Sequence, residues 1–290
     1  MGKSLIENAN NFYEILATYI GNYYVVDGAR TRYRKLDIKD REGYVCLFEE
    51  FQPEVVIHTA GVGSPDFADK NKIETWEINV VGTQNIVDCC ERFNSKFIYI
   101  SSNGIYDGEN APYTEEDNPL PINYYGQIKL EGEKVAKKAK ITCAIVRPIL
   151  MYGWNNAFER MNIITLALQK LEKNEVFYVY EDVFCNPLFT EQCAEAIWRI
   201  IQKEIYGIYN IAGNDILSTY QFVKIAAGIF GLDTTLVKPV QQGFFKDLVK
   251  RPRDTSYNIA KMKNILGLEP LSVETGLKIM KSKTKRKEDA

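Results

Sequence analysis

Lys96-Phe97-Ile98-Tyr99-Ile100-Ser101 is an almost unbroken apolar run that closes on a hydroxyl side chain. A strand that is apolar on both faces has to be covered on both faces, as it is inside a parallel sheet flanked by helices. Glu54–Ala60 has the same texture. Further β-rich runs lie at Tyr13–Tyr19, Arg32–Ile38, Thr142–Pro148 and Gly207–Ala212, with helical patterns between runs. Arg41–Phe51, Ile73–Phe93 and Tyr125–Lys140 each carry an apolar stripe at three-to-four spacing, the mark of a helix laid on a core. Strand alternating with helix predicts an α/β fold built on a doubly wound parallel sheet.

Past residue 172 the texture changes: Asn186-Pro187 breaks the chain, and short helices and loops come after it. Residues 1–172 therefore read as the sheet domain and 173–280 as a smaller subdomain, with 207–213 returning to the main sheet. Residues 281–290 contain the basic run Lys281-Ser282-Lys283-Thr284-Lys285-Arg286-Lys287 and read as a solvated, disordered tail.

The 290 residues suffice for one large domain or two modest ones. Hydrophobic residues at 46% and charged residues at 26% exclude a disordered chain. A net charge of −2 gives no reason to expect nucleic acid or an anionic membrane as partner. No apolar run approaches the ~20 residues of a membrane-spanning helix, and the first residues lack the apolar core of a secretion signal. Six cysteines without CxxC spacing read as reduced thiols in a cytoplasmic protein. The single histidine, His58, closes the run Val55-Val56-Ile57 and reads as a packing residue at a strand end. A Ser-His-Asp hydrolase or a histidine-ligated metal would have to use it unaided.

Candidate chemistry sits at the end of the quoted run, in Ser101-Ser102-Asn103-Gly104-Ile105-Tyr106. Tyr125-Gly126-Gln127-Ile128-Lys129 opens a helix 23 residues after Ser102. Tyrosine and lysine at i and i+4 share one helix face. An ammonium beside the phenol favours phenolate and moves its pKa down from ~10. With a serine hydroxyl bonded to the same substrate oxygen, such a trio handles a proton at oxygen while a hydride moves at carbon. Two more Tyr-x-x-x-Lys spacings, Tyr220/Lys224 and Tyr257/Lys261, lack a strand-end serine and read as surface helix residues.

These motifs resemble the extended short-chain dehydrogenase/reductase family, and within it the dTDP-4-dehydrorhamnose reductase-like branch. Leu36-Asp37-Ile38 resembles the segment lying against the adenine, and Val55–Gly61 the fourth strand passing the cofactor. Asn79-Val80-Val81-Gly82-Thr83 resembles the helix motif whose Asn is structural, and Arg147-Pro148 with Met151-Tyr152-Gly153 the loop after the sixth strand. Pro112–Asp117, Asn123–Gly126, Asn186-Pro187-Leu188 and Arg251-Pro252-Arg253-Asp254 are similar to the reductase branch. The resemblance implies a Rossmann-type sheet with a substrate-binding C-terminal subdomain. Its implied catalytic residues are Ser102, Tyr125 and Lys129. Its implied NADP- or NAD-binding residues are Gly2, Asp37, Ile38, Ala60, Gly61, Tyr125, Lys129 and Pro148. The implied substrate is a nucleotide-linked 4-keto-6-deoxyhexose on the way to a dTDP-rhamnose-like product. A nucleotide-sugar epimerase or dehydratase uses the same trio, and the regulatory β subunit of methionine adenosyltransferase resembles the same branch. The branch allows Mg²⁺, but no acidic cluster reads as a metal site; a homodimer is left open.

Two departures stand against the resemblance. No G-x-x-G-x-x-G loop occurs, and Met1-Gly2-Lys3-Ser4-Leu5-Ile6 resembles the segment just past the second glycine of that loop. Gly2 is then the last glycine of the loop. The expectation is that the sequence starts roughly ten residues into the fold and lacks a first strand that is central in the 3-2-1-4-5-6 order. Thr18-Tyr19-Ile20 offers no acid to the ribose, Asp27 lies too far on, and Arg30 is a candidate 2′-phosphate partner, so NAD and NADP remain equal. The second departure is Leu150, which stands where some members carry tryptophan; Trp154, just past Gly153, is expected to pack.

Overall fold

The computed structural model describes residues 1–21, 28–155 and 159–288, with side chains through Lys283. Among these, the first half runs α1 (Gly2–Glu7), β1 (Ile15–Tyr19), β2 (Thr31–Lys35), α2 (Arg41–Phe51) and β3 (Val55–His58). Then come α3 (Pro65–Lys70), α4 (Lys72–Trp76), α5 (Gly82–Phe93), β4 (Lys96–Ile100), α6 (Tyr124–Lys138) and β5 (Cys143–Pro148). A π-type turn, Glu77–Val81, fuses α4 to α5. The second half runs β6 (Met151–Tyr152), α7 (Ile163–Glu172), β7 (Phe177–Tyr180), β8 (Phe184–Cys185), β9 (Leu188–Phe189) and α8 (Thr190–Gln202). It ends with β10 (Ile208–Ile211), β11 (Leu217–Ser218), α9 (Thr219–Phe230), β12 (Val237–Val240) and α10 (Val273–Glu288).

The fold is α/β with a parallel sheet, which is present in two pieces. Four parallel strands lie in the order β10-β5-β4-β3, so Ile98 stands between Ile57 and Ala144. The return of β10 to the sheet is its pairing with β5, Tyr209 opposite Val146. The parallel pair β1-β2 forms a sheet of its own. On β4, Phe97, Ile98 and Tyr99 are almost wholly inaccessible, as an apolar run between two strands should be. On β3, by contrast, Val55, Val56 and Ile57 are only half-buried. The reason is that β3 pairs with β4 alone and no described strand is hydrogen-bonded to its other side. The full burial expected of Glu54–Ala60 is therefore not met.

Local signals set the helix ends. Asp40 accepts from the Gly43 amide at the start of α2, and Asn123 from the Gly126 amide at the start of α6, relieving donors that have no partner within the helix. The Leu5 carbonyl accepts from the Trp198 indole (2.9 Å), docking α1 onto α8.

The C-terminal half has three two-stranded sheets, β6-β9, β7-β12 and β8-β11, around a second apolar cluster that includes Tyr152, Phe189, Phe222, Leu277 and Met280. Trp154 packs as expected: it donates to the Met280 carbonyl (2.7 Å) and meets Phe230 edge-on. The reading of 281–290 as a disordered tail needs correction over 281–288, because α10 continues to Glu288; 289–290 lie outside the described residues. Lys281 reaches the Ile229 carbonyl and Lys283 pairs with Glu191, so the basic run extends a helix already anchored by Leu277 and Met280. Cations at a helix C-terminus also suit its dipole. Among the described residues, no helix is long and apolar enough to cross a membrane.

Candidate active site

Ser101 and Ser102 are buried at the carboxyl end of β4. Ser102 caps the 3-10 turn that comes next, its Oγ accepting from the Gly104 amide (3.1 Å) and donating to Asn103 Oδ1 (3.3 Å). Asn103 in turn donates to Thr255 Oγ1 (2.7 Å), bringing the C-terminal half to the strand end.

Helix α6 presses its first turn onto this same turn. A Cβ on Gly104 would lie 3.2 Å from the Tyr125 ring, and a Cβ on Gly126 would lie 2.0 Å from the Gly104 carbonyl oxygen. Glycine at 126 is thus what lets the helix, and the tyrosine one residue earlier, reach the serine. Gly126→Ala should lower stability by about 2–3 kcal/mol, the cost of overpacking against backbone that cannot yield. It should also move Tyr125. Gly63→Ala, whose Cβ meets nothing within 4 Å, should stay within about 0.5 kcal/mol in the same urea melts. Equal midpoints for the two variants would show the contact to be slack.

The three predicted catalytic residues come together. The half-buried Tyr125 packs its ring against Gly104, beside the Ser102 hydroxyl. One turn on, buried Lys129 points its Nζ at the Ile100 carbonyl (2.7 Å) and lies over the Tyr99 ring, 5.0 Å from its centre. The electrostatics differ from the sequence expectation. Burial raises the Tyr125 pKa above 10, against the opposing Ser102 hydroxyl and Arg160 charge. Burial also pulls Lys129 down to about 8, with the Glu133 carboxylate working the other way. Lys129 does not lower the Tyr125 pKa here, because its ammonium is turned to the strand carbonyl.

The residues assigned to the cofactor line the strand ends. Ala60 and Gly61 are exposed just past β3. Gly2 lies beside them, its added Cβ 3.8 Å from Thr59 Oγ1. Asn79 pins the loop by accepting from the Val62 amide (2.7 Å) and donating to its carbonyl (3.0 Å), the structural role expected of it. Asp37 caps the Lys39 amide, while Ile38 is buried against Gly82 and its carbonyl accepts from Asn85. Pro148 ends β5 opposite Ile211. Exposed Ala60 and Gly61, together with Tyr125 and Lys129, fit the nicotinamide end of a dinucleotide. Arg30 is exposed, and Asp27 lies outside the described residues.

His58 is the packing residue expected. Thr83 Oγ1 donates to the Asn79 carbonyl (2.6 Å), so its contact with His58 Nε2 (3.1 Å) has the imidazole as donor. Burial, with the Lys129 charge adding, lowers its pKa to about 3. Because this folded value lies below the unfolded ~6.5, the unfolded state binds more protons between the two, and stability rises with pH across that window. The loss of about 1.4 kcal/mol of stability per pH unit on acidification below ~6.5 should vanish in His58→Gln, measured as the difference in urea midpoints between pH 7.5 and 5. An identical pH slope in the variant would mean that the folded protein accepts the proton.

The Tyr220/Lys224 pair is an exposed helical contact at 3.2 Å, as expected. Tyr257 is not a surface helix residue: it is 2% exposed, bridges to Tyr113 and meets Tyr106 edge-on. Among the described residues no group of His, Cys, Asp and Glu could hold a metal ion, and the six cysteines are free thiols.

Sequence reading missed the charged pair behind the site. Arg147 on β5 binds Glu133 of α6 through both nitrogens of its fork, Nε at 2.8 Å and NH2 at 2.7 Å, with both residues essentially inaccessible. The signal was there: a glutamate eight residues after Tyr125 on one helix face, and an arginine inside the apolar strand Cys143–Pro148. Asp66 was also missed; it accepts from the Val249 amide (2.9 Å) and pairs with Arg251, fastening the C-terminal half across α3.

A parallel α/β sheet whose strand end gathers serine, tyrosine and lysine has the Rossmann-type architecture shared by nucleotide-sugar reductases and epimerases. The chain belongs to the RmlD substrate binding domain family, which it matches over residues 13–285. Mouse methionine adenosyltransferase 2 subunit beta is 26% identical over 268 residues, 86% of this chain and 76% of that protein. The dTDP-4-dehydrorhamnose reductase of Aggregatibacter actinomycetemcomitans is 25% identical over 96% of this chain and 92% of its own. The structure of dTDP-4-dehydrorhamnose reductase from Bacillus anthracis in complex with NADP superposes with a TM-score of 0.85, at 24% identity, covering 97% of this chain and 95% of that one. UDP-glucose 4-epimerase from Thermotoga maritima, with UDP-glucose, reaches 0.83 at 21% identity, covering 99% and 94%.

Proposed function

We propose that the protein is an NAD(P)H-dependent reductase of a nucleotide-linked 4-keto-6-deoxyhexose, similar to dTDP-4-dehydrorhamnose reductase. The observation that carries this reading is the convergence of Ser102 and Tyr125 on Gly104 at the end of β4, with Lys129 buried one turn behind them. A bound nicotinamide supplies a hydride to C4 of the sugar. Tyr125 then donates its phenolic proton to the C4 oxygen, while the Ser102 hydroxyl orients that oxygen. Lys129, one turn on with its ammonium on the Ile100 carbonyl, would hold the nicotinamide ribose. Ala60, Gly61 and Pro148 bound the nicotinamide end, Asp37 and Ile38 the adenine, and Gly2 the diphosphate. A cytoplasmic homodimer fits this reading; the choice between NADP and NAD, and any role of Mg²⁺, are open to assay.

Two other readings each rest on an observation. The TM-score of 0.83 to UDP-glucose 4-epimerase favours an epimerase, which returns its cofactor unchanged. The 26% identity to methionine adenosyltransferase 2 subunit beta favours a non-enzymatic regulatory homologue. Mixing the protein with dTDP-4-keto-6-deoxyglucose and NADPH or NADH separates them. The reductase should consume one cofactor per sugar reduced; no consumption with this sugar, but interconversion of the 4-hydroxy sugar UDP-glucose with catalytic NAD, selects the epimerase, and neither binding nor turnover of either sugar selects the regulatory homologue.

A further inference from the structure

Behind the reacting groups, three elements converge on one carboxylate. Glu133 on α6 accepts from Ser101 Oγ of β4 (2.7 Å), from both arms of the Arg147 fork of β5, and from Lys137 Nζ (3.2 Å). It lies one turn beyond Lys129 and two beyond Tyr125, on the same helix face. Ser101 precedes Ser102, and the Ile100 carbonyl that receives the Lys129 ammonium precedes Ser101. The carboxylate thus binds the residue between the two strand groups that face Lys129 and Tyr125.

We propose that Glu133 is a positioning residue for the Ser102–Tyr125–Lys129 site, its charge holding Lys129 as an ammonium on the Ile100 carbonyl. The proposal rests on the reductase reading for its kinetic consequence only. The titratable groups coupled to Lys129 are Glu133 on its own helix and His58 of β3, and Tyr99 of β4 lies beneath it. His58 stays neutral and Tyr99 protonated, so Glu133 supplies the anion. Arg147, Ser101 and Lys137 keep Glu133 ionised in spite of its burial. Removing that charge leaves a desolvated ammonium with a carbonyl and a ring face for company.

Glu133→Gln keeps the shape and removes the charge. In protein labelled with ¹³C at lysine Cε, the Lys129 resonance, assigned by its loss in Lys129→Arg, should titrate about one pH unit lower than in the wild type. Glu133→Asp should restore the titration toward the wild-type value. The alkaline limb of kcat/KM for NADPH-dependent sugar reduction should move down by the same amount in Glu133→Gln. If Glu133→Gln does not fold, Glu133→Gln/Arg147→Met, which leaves no unpaired buried guanidinium, carries the same measurement. An unchanged Lys129 titration in a folded variant overturns the proposal. The resonance is read without cofactor or substrate, so absence of turnover in the wild type refutes the reductase reading and leaves this result standing.

Discussion

Tyr125→Phe is expected to lower kcat for the 4-keto sugar by about 10²–10⁴, the contribution of a positioned general acid, with folding nearly unchanged. The two effects separate because they belong to different parts of the residue. The ring fills the space against Gly104, where even a methyl would come within 3.2 Å, and phenylalanine keeps that contact. The hydroxyl lies beside Ser102 and would donate the proton. Its loss removes at most one hydrogen bond worth about 0.5–1.5 kcal/mol, so the melting temperature should fall by no more than about 5 °C. Substrate binding should survive, since Ser102 still offers a donor to the C4 oxygen. A stopped-flow trace of NADPH absorbance under single-turnover conditions is the direct measurement. Wild-type turnover in the folded variant would remove Tyr125 from the chemistry and return the choice to Ser102 or water.

Local pattern was legible in the sequence. The run Lys96–Ser101 specified a covered strand, and β4 occupies Lys96–Ile100. Arg41–Phe51 specified a helix with those same ends. Ser102, Tyr125 and Lys129 were legible together because a strand-end serine and an i, i+4 pair have fixed local geometry. Features set by distant partners were hidden. Tyr257 and Lys261 have helical spacing, yet Tyr257 bridges to Tyr113 and its ring is enclosed by residues far away in sequence. Val55, Val56 and Ile57 look like Phe97 and Ile98 in composition, but they border a side of the sheet with no described neighbour. Spacing places Lys129 beside Tyr125 without saying where the flexible ammonium goes. That depends on the Ile100 carbonyl, which only the register of β4 against α6 can place.

The same limit hid the Glu133–Arg147 pair, whose removal has the largest expected effect on stability. Arg147→Met should lower the unfolding free energy by about 3–5 kcal/mol, the usual penalty for stranding one member of a buried ion pair. Glu133 would keep Ser101 and the half-exposed Lys137 as partners, but lose both guanidinium contacts. The Tyr106 hydroxyl would lose the NH1 donor at 2.7 Å and keep only its bond to the Thr114 carbonyl. Glu133→Leu/Arg147→Met should recover most of the loss, because a pair of apolar side chains carries no desolvation penalty; the Ser101 hydroxyl without its acceptor and the Tyr106 oxygen without its donor account for the remainder. The pH dependence has a definite sign. In the wild type Glu133 is held below its usual range, so its contribution is full above the unfolded ~4.3 and is lost as pH falls through the folded value. In Arg147→Met the isolated, buried carboxyl is pushed upward instead and takes a proton at milder acidity, which relieves the stranded charge. The stability gap between wild type and Arg147→Met should therefore be widest near pH 8 and narrow toward pH 5. Urea midpoints at the two pH values measure it, and a gap that stays constant, with no recovery in the double variant, would mean that the arginine acts by filling space rather than by pairing charge.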